Sequence, residues 1–503
     1  MKIHQFLEHH GVARNPFAEE DAQTDLVFKE HCIESTFHPA WDKIYGDPDE
    51  PSTSIVFGEK GAGKTAIRLQ IARHLAQHNR QCPERRLFVV HYDDFNPFLD
   101  RFRERLGGRK SRRPDRVLRE WKLWDHMDAI LSLAVTGLID RVLNVGQPAA
   151  FVDASVEPAA VDRLDRHQAR DLLLLAACYD RSVAATFRDR WAALRKRLRF
   201  STLRARIPLA IGIGGTLAVA GLALGLAFRG RGGSVLSLWL LFLAAVAAAW
   251  IPWLWRWWSC FWQAWRIRRQ MRLSHRDARS LRQILLQFTR HETVAQPLPD
   301  ADGTDDRYEM LMKLQGLLQT LGFRGIVVLV DRLDEPHLIN GSAELIKALL
   351  WPMLDNKFLK HPGLGLKIMA PIELTRFIER EDRDFYQRAR LDKQNMIASF
   401  EWTGEALYDV ANARLSACQA DGSTPTLRDL IDPAVTDQRL LEVLRGLRTP
   451  RHLFKFLYRL LVTHCNAHVE GEPVWRVPAA TFESTLALYR RDQDAFDRGV
   501  GAG

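Results

Sequence analysis

Thr53-Ser-Ile-Val-Phe57, Gly58-Glu-Lys-Gly-Ala-Gly-Lys-Thr65 and Ala66-Ile-Arg-Leu-Gln-Ile-Ala-Arg-His-Leu-Ala76 follow one another without a gap. They read as a short β-branched strand, a glycine-rich turn and a helical repeat. That succession of strand, GxxxxGK[ST] and helix is the context of a P-loop. The glycines let backbone N–H groups wrap a chain of phosphates, and the helix N-terminus adds a favourable dipole. Gly58, Glu59, Lys60, Gly61, Ala62, Gly63, Lys64 and Thr65 are therefore the expected nucleotide-binding residues. Lys64 should reach the β- and γ-phosphates, and the Thr65 hydroxyl should ligate Mg²⁺. The cofactors expected are ATP (GTP is not separable from it by sequence) and Mg²⁺.

The other half of such a site lies far downstream. Gly325-Ile-Val-Val-Leu-Val330 reads as a fully buried parallel strand that ends in Asp331-Arg-Leu-Asp-Glu-Pro336. A carboxylate at the tip of this strand is placed to hold the Mg²⁺ shell, so Asp331 is the second expected metal ligand. Glu335 is the expected catalytic carboxylate that orients and activates a water, with Asp334 the second candidate for that role. Leu87–Tyr92 and Leu364–Ala370 read as further strands, and Glu373 follows the last of them as a candidate γ-phosphate sensor. The fold class is α/β, with a parallel doubly wound sheet.

Two charge-free runs interrupt this pattern. Ile207–Phe228 and Val235–Trp255 are each long enough to cross about 30 Å of hydrocarbon as a helix, and only Arg229–Ser234 separates them. A transmembrane hairpin inside the nucleotide-binding domain is the expectation. Basic residues crowd the outer flanks, from Arg188 to Arg206 and from Arg256 to Arg272, while the connecting loop carries only Arg229 and Arg231. The positive-inside rule then puts both termini in the cytoplasm of a multi-pass membrane protein; the membrane expected is a bacterial inner membrane. Trp250, Trp253, Trp255, Trp257 and Trp258 form an expected interfacial belt, and Gly221 and Gly225 a small-residue packing face.

The chain should divide as follows. Residues 1–105 hold the first half of the nucleotide domain, 106–200 a helical insertion and 201–272 the hairpin, with spans 207–228 and 235–255. A helical return follows at 273–322, then the second half of the nucleotide domain at 323–402 and a helical lid at 403–503. Long helices at Trp121–Val145 and Arg163–Leu198 are expected to project from the sheet and carry the chain to the membrane.

Composition narrows the partners. A net charge of +10 with clustered arginine suits anionic lipid head groups, and nucleic acid is not excluded. The basic tract Gly107–Arg116 has no aromatic residue for base stacking, which argues against nucleic acid there. The six cysteines show no CxxC and no metal-ligand spacing, in keeping with a reducing compartment. Met1–Phe17 lacks the apolar core of a signal peptide.

A membrane hairpin inserted between the two halves of the nucleotide site resembles the KAP family of membrane-associated P-loop NTPases. Asp331-Arg-Leu-Asp-Glu335 is similar to the D-x-L-D-E of NACHT and wider STAND ATPases, while Arg332 and Glu335 depart from the usual KAP pattern. Thr449-Pro-Arg451 at the head of a helical run looks like the G-x-P-R-x-L segment of AAA+-related lids. That likeness implies that Arg451 contacts the γ-phosphate from the lid. Asn15-Pro-Phe17 resembles a segment that lies near the adenine in such ATPases, and Arg388 and Arg390 are candidate arginine fingers. The resemblance implies an ATPase acting as a nucleotide-dependent switch, a homo-oligomer with a further protein partner, and a role in bacterial defence against phages or plasmids. Two alternatives stay open beside it: the energising ATPase of a membrane transport complex, and a nucleotide-gated membrane scaffold with little hydrolysis.

Overall fold

A computed structural model of the chain describes residues 1–108, 113–145, 156–181, 186–228, 235–274, 276–294, 296–354, 357–381, 383–389, 391, 395–420 and 422–497. The apolar run after Thr53 becomes strand β1 (Ser54–Gly58), buried along its whole length, and the repeat after Gly63 becomes helix α1 (Lys64–Gln81). Strands β2 (Arg86–Tyr92), β3 (Phe323–Val330), β4 (Leu364–Pro371) and β5 (Asn395–Ile397) complete a five-stranded parallel sheet. Its order is β2-β3-β4-β1-β5, and β1 pairs in register with β4 (Ile55 opposite Ile368) and with β5 (Ile55 opposite Met396). β5 has no run of apolar residues to announce it, and the sequence gives no sign of it.

Residues 1–82 and 327–497 form one compact unit, and residues 83–145 and 156–326 form another. In the second unit, α2 (Leu123–Leu143), α3 (Arg166–Tyr179) and α4 (Phe187–Arg197) pack with a later helix into a bundle with its own core. The single helix expected over Arg163–Leu198 is two helices. Asp180 leaves helical geometry and turns its carboxylate to Arg190 (2.7 Å), and Thr186 caps the next helix by accepting from the Asp189 N–H.

The hairpin is α5 (Ile207–Phe228) and α6 (Val235–Gln270). Both contain a stretch long and apolar enough to cross a membrane, and almost none of either stretch is buried, unlike a core helix. α5 coincides with the expected first span. α6 does not stop at Trp255: its 36 residues reach about 54 Å, because helical spacing continues through Cys260, Ala264 and Ile267, which are buried. Close packing of the pair uses other glycines. Gly212 and Gly215 lie against Trp250 and Ala249, while Gly221 and Gly225 face open space. Trp250 is correspondingly turned inward, its indole N–H donating to the Thr216 hydroxyl at 2.9 Å. α7 (Ala278–Leu285) packs on α6, and α8 (Asp305–Thr320) closes the bundle, where Arg307 pairs with buried Asp128 at 3.2 Å.

In the first unit, α9 (Gly404–Ala417), α10 (Asp437–Leu447), α11 (Pro450–Ala467) and α12 (Ala479–Asp497) form the expected helical domain. Leu407, Leu444, Leu453, Phe456 and Phe482 are buried together with Phe6, Leu7 and Phe17 from the amino-terminal segment.

Candidate functional site

The turn from β1 into α1 depends on two glycines. Gly61 (φ +88°) and Gly63 (φ +97°) hold left-handed backbone, which L side chains adopt at a cost. Gly61 also has no room for a side chain, since a Cβ there would lie 2.6 Å from the Arg451 Cβ. Lys64 folds back on this loop and donates to the carbonyls of Gly58 (2.7 Å) and Glu59 (2.8 Å). Burial lowers the pKa of its ammonium, against an upward pull from Asp334, Asp331 and Glu373.

Across the sheet, β4 separates β1 from β3, so the two strand tips stand about 10 Å apart. Asp331, at the tip of β3, is 2% exposed. Its Oδ2 accepts from the Arg68 Nε at 3.1 Å, and the Thr65 hydroxyl and the Arg332 backbone N–H bond to it as well. Burial still leaves its carboxyl pKa raised. Beyond it the chain bends at Arg332 (φ +59°), whose guanidinium donates to the Gln23 side chain. Glu335 is exposed, 3.6 Å from the Arg332 Nε, and its pKa is raised by desolvation and by the nearby Asp334, Asp331 and Asp21.

These residues share one open cleft with about 1170 Å³ of empty space. Lys60, Gly61, Gly63, Lys64, Thr65, Asp331, Asp334, Glu335 and Arg451 all line it, so nine expected site residues from three distant stretches of sequence converge. Gly58, Glu59 and Ala62 do not line it. Their carbonyls serve the loop itself, two on Lys64 and that of Ala62 on the Trp402 indole N–H at 2.7 Å. Arg451 arrives from the first turn of α11. Its backbone N–H donates to the Gly61 carbonyl at 3.4 Å, its Nε is 3.8 Å from Glu20, and that Nε has no hydrogen-bond partner among the described residues.

Phe17 does not reach the cleft. It is buried beside Phe454 with ring centroids 6.3 Å apart, and the lining begins further along, from Glu20 to Phe28. Glu373 is exposed and affects Lys64 by its charge without lining the cleft. The side chain of Arg388 and the whole of Arg390 lie outside the described residues.

Other lining residues were not expected. His38 stacks on Phe400 at 3.7 Å and bonds through Nε2 to the Glu401 carbonyl at 2.8 Å, while its Nδ1 accepts from the Ala40 N–H at 3.0 Å. Burial pushes its pKa down to about 4. Trp402, which meets His38 edge-on, is joined on the cleft wall by Arg414, whose guanidinium pairs with Asp25 at 2.5 Å. No motif marks these residues. His38 lies ahead of β1, and Trp402 and Arg414 follow β5, so no shared stretch of sequence groups them.

The donor set suits Mg²⁺ more than a caged metal. Among the described residues no three His, Cys, Asp or Glu side chains gather as a metal site. The Thr65 hydroxyl and the Asp331 carboxylate are hard oxygen donors at the cleft, enough for an ion that takes its remaining ligands from phosphate and water. Compared with the profiles of known protein families, with characterised proteins and with solved structures, the chain matches none.

Proposed function

We propose that the chain is a membrane-anchored P-loop NTPase that binds ATP with Mg²⁺ and acts as a nucleotide-dependent switch, in the manner of KAP and STAND ATPases. The observation that carries this reading is the convergence of the glycine loop, the carboxylates after β3 and Arg451 on one cleft. In it, the loop N–H groups and the α1 N-terminus bind the phosphates, and Lys64 leaves the Gly58 and Glu59 carbonyls to neutralise them. Thr65 and Asp331 would hold Mg²⁺, which supplies charge neutralisation at the transferred phosphoryl group. Glu335 orients the attacking water, and its raised pKa suits it to accept a proton. Arg451 links nucleotide state to the lid, because the same residue touches the Gly61 carbonyl and heads α11.

Membrane anchorage rests on α5 and α6, whose apolar surface is uncovered. The test is extraction of the full chain from membranes with detergent, followed by steady-state hydrolysis of ATP with Mg²⁺. Slow, sustained turnover that stops without Mg²⁺ is expected. Binding of ATP with no turnover would make the chain a nucleotide-gated scaffold, and partition into the aqueous phase without detergent would remove the anchor.

A further inference from the structure

The basic residues ahead of the hairpin fall into two kinds. Arg190 pairs with Asp180 and Asp140, both at 2.7 Å, and Arg197 pairs with Asp162 at 3.0 Å. Their charge is answered within the bundle. Lys196, Arg199 and Arg206 are exposed and, among the described residues, meet no carboxylate. These three line one shallow groove with Arg195, Ser201 and Leu203, between the end of α4 and the first residue of α5.

Two features of the backbone sharpen this concentration of charge. Arg206 stands directly before α5, at the end of the helix dipole that favours an anion and not a cation. Arg199 follows the last turn of α4 in left-handed conformation (φ +49°), with the Phe200 N–H returning to the Arg195 carbonyl at 3.1 Å. That is the position at which glycine usually ends a helix, so an arginine is held there at a backbone cost. Beside the cations the surface turns apolar at once: Leu203 is 73% exposed and Ile207 is 52% exposed. Unanswered positive charge adjoining uncovered apolar surface at a helix entry matches an amphiphile with an anionic head. A soluble anion would use the cations and leave Leu203 and Ile207 without a role.

We propose that this groove binds the phosphate of an anionic phospholipid, whose acyl chains lie along the exposed start of α5. The inference rests on the reading of α5 and α6 as a membrane hairpin. Lys196, Arg199 and Arg206 supply the charge, and the Ser201 hydroxyl lies in the groove as a further donor. Basic pockets beside transmembrane helices select anionic head groups by this means.

The test uses the full chain in detergent micelles, with phosphatidylglycerol or phosphatidylcholine added and retention read by native mass spectrometry. Phosphatidylglycerol should bind at least tenfold more tightly than phosphatidylcholine. The triple variant Lys196→Gln, Arg199→Gln, Arg206→Gln should lose affinity for it by on the order of a hundredfold, about fivefold for each cation. Arg204→Gln, which removes an exposed cation outside the groove, should change it little. Unchanged thermal unfolding of the triple variant checks that it folds, since all three side chains are exposed. Equal retention of the two lipids, or a triple variant that holds phosphatidylglycerol like the parent, would overturn the proposal. So would displacement of the lipid by millimolar inorganic phosphate, which would make this a free-anion site. A chain that needs no detergent would instead overturn the hairpin reading beneath it.

Discussion

Arg68→Met would test the internal support of the site. Arg68 and Asp331 are each 3% exposed at the side chain, and the Arg68 Nε lies 3.1 Å from Oδ2. Replacing the arginine leaves a buried carboxylate supported by the Arg332 backbone N–H, the Thr65 hydroxyl and the charge of Lys64. Breaking a buried pair on one side costs about 3–5 kcal/mol. For a domain of this class, 1 kcal/mol moves Tm by roughly 2–4 °C, so a fall on the order of 10 °C is expected. Tryptophan fluorescence during heating reports it, since Trp402 bonds to the neighbouring loop. The double variant Arg68→Met, Asp331→Asn removes both charges and should recover most of the loss. A single-variant shift under about 2 °C, or a double variant as unstable as the two single losses added, would refute the coupling. Either outcome would mean that Asp331 is not held by Arg68.

Three further outcomes follow from the geometry. Glu335→Gln should keep ATP binding and lower turnover by on the order of a hundredfold or more in a phosphate-release assay, whereas Asp334→Asn should do less; the reverse ranking would exchange their roles. Deletion of Ile207–Trp255 with a short flexible linker joins flanks that already meet, the Arg256 guanidinium donating to the carbonyl of Ala205, one residue before the junction, at 3.0 Å. The shortened chain should leave the membrane fraction in sedimentation and still bind ATP, and retention in the membrane pellet would contradict the anchor. His38, with its folded pKa near 4 and an unfolded pKa of about 6.5, is neutral in both states at pH 8. As pH falls from about 6.5 towards 4, the unfolded chain takes up a proton that the folded one refuses, so stability falls by up to roughly 3 kcal/mol. Tm measured across that window should drop less steeply in His38→Gln.

The parts of the site legible in the sequence were those whose chemistry forces a residue type at a fixed place. Gly61 and Gly63 must take left-handed backbone, Lys64 and Thr65 open the helix that follows them, and Asp331 stands at the end of a strand that an apolar run announces. The two long apolar helices were legible for a similar reason, as charge-free runs of at least 20 residues that read directly as helices long enough to cross about 30 Å of hydrocarbon. The end of the second helix was not, because the charge-free run ends at Trp255 while helical spacing persists past it to buried Ile267. Arg68, His38 and Trp402 were missed for a different reason. Each acts through a partner hundreds of residues away, Asp331, the Glu401 carbonyl and the Ala62 carbonyl, and no local pattern encodes such pairs. The bundle of α2, α3, α4 and α8 was hidden likewise: amphipathic helices show that a face is buried, not what buries it.

The central claim is that the cleft around Gly61, Lys64 and Asp331 binds a nucleoside triphosphate. Calorimetric titration of the full chain in detergent with ATP and Mg²⁺ tests it most directly. A single site with Kd in the micromolar range is expected for the parent chain. Lys64→Ala, which removes the cation proposed to neutralise the phosphates, should weaken it at least tenfold. No binding by the parent, or equal binding by Lys64→Ala, would contradict the account.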